Sequence, residues 1–82
     1  MTEAEFNDLV KLHALDATRP SMRVAYRVHV KGEKNTDAAK LENVNYQTAV
    51  NSIATLKLKY EIYLKVKERI IKEYLDSQAD KK

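Results

Sequence analysis

A chain of 82 residues without one cysteine cannot staple itself together with disulfides. A domain of this size buries only about 60% of the surface its unfolded chain exposes, so it is marginal alone and gains from a metal or a partner subunit. His13 and His29 are the only histidines, too few soft ligands for a structural zinc site. No metal or cofactor is therefore expected, and self-association is the expected support. No apolar run approaches the ~20 residues that span a bilayer. The start, Met1-Thr2-Glu3-Ala4-Glu5, lacks the basic and apolar regions of a signal peptide. A soluble, cytoplasmic protein without a membrane partner is the expectation.

The net charge of +3 is modest, but its placement is uneven. Arg19, Arg23, Arg27, Lys31 and Lys34 stand against a single acid, Glu33, between positions 19 and 34. The first four recur at every fourth residue and form a drifting stripe on a helix. Such a stripe is either the footprint of phosphate binding or a solvated helix face.

Hydrophobic periodicity gives a mainly α chain of about four helices. Thr2 and Glu5 form a capping box that opens a first helix through Leu15, with Phe6, Leu9, Val10 and His13 on one stripe. Pro20 starts a second helix that Gly32, the only glycine, closes after Val30. Asn35 or Thr36 caps a short helix over Asp37 to Glu42. Asn43 supplies a left-handed turn residue, and Asn45 caps a helix from Tyr46 to about Leu56 that buries Ala49, Ile53 and Leu56.

From Leu56 the pattern changes. Leu56, Leu58, Tyr60, Ile62, Leu64 and Val66 alternate with mostly charged residues, which favours a strand with one buried face. The alternative continues the helix, with Leu56, Tyr60, Tyr63, Ile70 and Tyr74 as a seam. Ile70, Ile71, Tyr74 and Leu75 mark a final helical face before the polar tail Asp76 to Lys82. This divides the chain into a DNA-binding unit, residues 1–56, and a C-terminal dimerisation segment, residues 57–82, built as strand-helix or as one long helix.

Residues 35–56 meet the physical needs of a helix-turn-helix. Ala39 is small where two helices must touch, Asn43 reverses the chain, Val44 is the buried turn residue, and Ala49 and Ile53 pack the second helix back. The second helix then presents Asn45, Tyr46, Gln47, Thr48 and Asn51, groups of the kind that hydrogen-bond base edges. Lys34, Thr36 and Lys40 sit where the first helix would meet the duplex backbone, joined by Arg23 and Arg27 of the basic stripe. The competing reading makes these an ordinary polar surface.

The run Val30-Lys31-Gly32, Thr36-Asp37-Ala38-Ala39, Asn43-Val44-Asn45, Ala49, Ile53 and Leu56 resembles the helix-turn-helix of the KorA/TrfB plasmid repressors, and more distantly the PapB fimbrial regulators. The likeness runs without a gap over residues 22–56. It implies a homodimeric transcriptional repressor that binds a palindromic operator in double-stranded DNA. The chain departs from the pattern at Asn43, where glycine is frequent, at Glu42, where an apolar residue is usual, and at Tyr46, Gln47 and Thr48. The fold is compatible with those departures; the operator sequence is not transferable.

The expected dimer interface is Leu58, Tyr60, Ile62, Leu64, Val66, Ile70 and Tyr74, which a chain this short can hardly cover by itself. No nucleophile, glycine-rich phosphate loop or acid–base pair suggests an enzyme or a small-molecule substrate. Two other readings stay open: an interaction module that inhibits a host protein, and an accessory DNA-binding protein without sequence preference.

Overall fold

The computed structural model describes residues 1–79, and they form four helices: α1 (Glu3–Leu12), α2 (Pro20–His29), α3 (Asn35–Leu41) and α4 (Tyr46–Ala79). The protein is mainly α, with no strand among the described residues. The last three residues of the expected polar tail, 80–82, lie outside the described residues.

Local chemistry sets the helix ends. The Thr2–Glu5 capping box is formed, with the Glu5 amide donating to Thr2 Oγ1 at 3.1 Å and the Thr2 amide donating to Glu5 Oε1 at 2.9 Å. Pro20 occupies the first turn of α2, where its missing N–H costs nothing. Each of the first three helices is followed by a residue in the left-handed region: Ala14 (φ 50°), Gly32 (φ 75°) and Asn43 (φ 54°).

The α1 and α3 ends share one motif. Leu15 N–H bonds Val10 C=O at 2.9 Å and Ala14 N–H bonds Lys11 C=O at 3.3 Å; Val44 N–H bonds Ala39 C=O at 2.9 Å and Asn43 N–H bonds Lys40 C=O at 3.1 Å. These paired bonds satisfy orphan carbonyls and fold the next apolar residue, Leu15 or Val44, back onto the core.

Two expectations about ends are corrected. The first helix stops at Leu12 rather than Leu15, because Ala14 takes the left-handed turn. Neither Asn35 nor Thr36 caps α3: Lys34 is the N-cap, without a side-chain bond, and Asn35 is already helical.

The larger correction concerns residues 56–66. They form no strand; α4 runs unbroken for 34 residues, so the helix does not end near Leu56 and the backbone marks no boundary at position 57. The alternation was ambiguous, since any period of two also contains the i, i+4 spacing of a helix. Three facts decide it. After Gly32 the chain holds no glycine or proline to break a helix. A lone strand would leave its backbone unpaired. The helical register carries the buried line Ala49, Ile53 and Leu56 on to Tyr60 and Tyr63, against which α1 packs.

The core has two lobes joined by α2 and α4. Val24, Ala38, Ala39, Ala49 and Ile53 pack α2, α3 and α4 together, the alanines allowing close approach. Phe6, Leu9, Ala25 and Leu56 tie α1 to α2 and α4, with Phe6 edge-on to Tyr26 at 5.1 Å. Leu9, Val24 and Leu56 are fully buried, each such side chain contributing about 1.5–3 kcal/mol of transfer free energy. Hydroxyl contacts complete the α1–α4 packing: Tyr60 donates to Glu5 Oε2 at 2.8 Å, and Tyr63 to Asp8 at 3.0 Å. Tyr60, expected at a dimer interface, thus serves its own chain's core.

Candidate nucleic-acid interface

Between α3 and α4 the chain reverses in four residues, Glu42 to Asn45. Asn43 provides the left-handed turn, and Val44 packs beneath it on Ala39 and its neighbours. Asn45 Oδ1 then accepts the Gln47 amide at 2.9 Å and opens α4. Ala49 and Ile53 face inward, which turns Gln47, Thr48 and Asn51 outward. All three are exposed, as is Tyr46 at 54%. Gln47 Nε2 donates to Asn51 Oδ1 at 3.1 Å, one helical turn along, so the two amides stand side by side.

From Asn43 to Tyr60 there is no Asp or Glu, while Lys57 and Lys59 follow the amides and hydroxyls. The face is therefore free of fixed negative charge over more than three helical turns. On α3 and its N-cap, Lys34, Thr36 and Lys40 are exposed, in company with Asp37. That acid lowers the local positive potential.

Arg23 and Arg27 do not join them as free cations. Arg23 Nε donates to Glu42 Oε1 and Arg27 Nε to Glu42 Oε2, both at 2.6 Å, and Arg27 also reaches Glu33 at 3.2 Å. Glu42 retains only 10% of its side-chain exposure, against 48% for Arg23 and 27% for Arg27. The two arginines hold the Glu42 carboxyl below the usual carboxylate range, Arg23 foremost, and Glu42 in turn raises the Arg27 guanidinium. This fork bolts α2 to the end of α3 and fixes the turn that aims α4. In the sequence Glu42 stands out only as a departure from an apolar position; its partners lie 19 and 15 residues away, and the stripe they share is the available signal.

The rest of the stripe also disperses. Arg19 is the α2 N-cap, and Lys31 lies beyond the helix with its ammonium 5.9 Å from the Tyr26 ring centroid. His29 Nε2 donates to the Ile53 carbonyl at 2.9 Å, a second α2–α4 tie. His13 ends α1 at the surface.

Beside the exposed amides lies an open hollow of about 220 Å³ lined by Leu15, Met22, Asn51, Thr55 and Lys59, among others. Further along α4, Leu58, Ile62, Leu64, Val66, Ile70 and Tyr74 are exposed. No helix among the described residues is long and apolar enough to cross a membrane. No family model matches the chain, and neither a curated protein nor a solved structure does.

Proposed function

We propose that the protein is a transcriptional regulator, a repressor, that binds double-stranded DNA sequence-selectively through the first turns of α4. One observation carries the reading: a tight left-handed turn presents an exposed face of Tyr46, Gln47, Thr48 and Asn51 that lacks any acid. Paired amides are suited to the adenine edge and a threonine methyl to thymine, so A·T pairs are the expected targets. Lys34, Thr36 and Lys40 supply phosphate contacts that set orientation and affinity. Arg23 is a lesser contributor and Arg27 lesser still, because both are committed to Glu42. The KorA/TrfB likeness supports repression as the mode of regulation, with no cofactor.

Titration of labelled duplexes by wild-type protein and Lys34→Ala over a range of salt tests the proposal. Each neutralised phosphate contributes about −0.9 to the slope of log affinity against log salt, so Lys34→Ala flattens it by roughly one unit on every sequence. Identical slopes for the two proteins place Lys34 off the interface. Absence of binding to any duplex at low salt refutes the proposal. Equal affinity for all sequences leaves only an accessory binder without sequence preference.

A further inference from the structure

The open hollow of about 220 Å³ lies where α4 meets the α1–α2 loop and the first turn of α2. Its floor belongs to the core. Leu56 is buried, and Leu15 and Met22 pack against the same cluster while remaining half-buried. Its rim is polar and comes from one helix: Asn51, Thr55 and Lys59 recur at every fourth residue of α4, about 6 Å apart along the axis. An apolar floor with a few convergent polar groups is the usual make-up of a small-molecule site.

Lys59 gives the rim its sign. It is half-buried, yet no carboxylate among the described residues pairs with it, whereas Arg23 and Arg27 are both engaged by acids. Asp16, beside Leu15 in the sequence, turns its carboxylate onto the Thr18 amide at 2.9 Å and onto the Thr18 hydroxyl. A partly desolvated ammonium without a counter-charge favours an anion beside it. Thr55 adds a hydroxyl. Asn51 Oδ1 accepts from Gln47, which leaves the Asn51 amide hydrogens to donate.

We infer that this hollow binds a small aryl carboxylate, its ring on Leu15, Met22 and Leu56 and its carboxylate between Thr55 and Lys59. Size agrees, since a cavity of about 150 Å³ holds benzene and the remaining volume suits a short acidic arm. Each part of the site selects. A cation is repelled by Lys59, a bare inorganic anion leaves the floor unused, and a neutral ring leaves the ammonium unpaired. Lys59 also borders a groove with Leu12, His13, Tyr63 and Val66. There the Tyr63 hydroxyl is already given to Asp8, whose charge opposes a carboxylate. Binding in the hollow requires nothing of DNA reading, so the two claims stand or fall separately.

The test is titration of nitrogen-labelled protein with phenylacetate, phenylacetamide and acetate, followed through backbone amide resonances. Phenylacetate is expected to saturate, with the largest shifts at Leu15, Met22, Thr55 and Lys59. It should bind about tenfold more tightly than phenylacetamide, the difference a charge-assisted contact makes. Lys59→Gln should bring the acid down to the amide while helical circular dichroism is retained. Lys57→Gln removes the same charge from an exposed neighbouring position and should leave phenylacetate affinity within about twofold. Equal affinity for acid and amide, or equal losses in the two lysine variants, overturns the inference. Acetate saturating the same resonances as tightly as phenylacetate means an adventitious ion only and also overturns it. Shifts centred on Leu12 and Val66 put the ligand in the neighbouring groove and contradict the assignment, as does the absence of saturation at millimolar phenylacetate.

Discussion

Ala14 holds a φ of 50° without the freedom of a glycine, and nothing in its side chain marks it for that role. The apolar periodicity accordingly predicts a first helix that runs on to Leu15, three residues past its end at Leu12. Gly32 and Asn43 do advertise a left-handed turn, and both adopt one. A left-handed backbone costs an L-residue about 1–2 kcal/mol, partly offset by the looser unfolded chain of a glycine variant. Ala14→Gly is therefore expected to stabilise the protein by about 0.5 kcal/mol. Gly32→Ala should destabilise it by about 1 kcal/mol. A methyl there meets no atom within 4 Å, so the loss is conformational and not steric. Urea midpoints of the two variants should move in opposite directions. Gln47 and Asn51 form a hydrogen-bonded pair on an exposed face, so replacing either with alanine should leave the urea midpoint nearly unchanged. On a preferred duplex each replacement should cost about 1–3 kcal/mol, and little on scrambled DNA, in parallel titrations at one salt concentration.

At the scale of elements, the first turns of α4 were legible because Asn43, Asn45, Ala49 and Ile53 each carry a local signal. The second half was misread as a strand because its apolar residues satisfy both periods at once; contact with α1 breaks the tie, and that contact is invisible in a local window. The arginine stripe hides its pairing for a similar reason. Its partner Glu42 reaches α2 only after the chain has reversed, so a local window shows the two arginines without their acid. The fork has a pH consequence. Since Glu42 is held below its ordinary value in the folded state, first by Arg23 and then by Arg27, its stabilisation is present above the unfolded carboxylate value. It is lost as pH falls through the lowered one. Glu5, lowered chiefly by the Thr2 amide and next by Tyr60, adds loss in the same direction. Glu42→Gln should reduce stability at neutral pH and make the acid limb of a thermal-melting profile shallower. An unchanged acid limb would show that the fork does not contribute to stability. In α4, Leu56→Ala should cost about 2–5 kcal/mol, because Leu56 is buried against α1 and α2.

The whole molecule is an elongated body, 58 Å by 21 Å by 18 Å, with a compact end made of all four helices and an extended end made of α4 alone. That asymmetry sets two kinds of surface apart along one helix. Its first turns carry the acid-free polar face, and its distal turns carry the exposed apolar ridge. A homodimer, which the likeness to the KorA/TrfB repressors implies, calls for an inverted repeat in the DNA. The central claim is that the start of α4 reads sequence. Repeated selection of bound duplexes from a random pool, with wild type and Gln47→Ala in parallel, measures it directly. The account predicts that wild type enriches an inverted repeat with A·T pairs at its most constrained positions, and that Gln47→Ala loses constraint there while the fold survives. A wild-type pool that stays random, or a Gln47→Ala pool indistinguishable from it, would contradict the account.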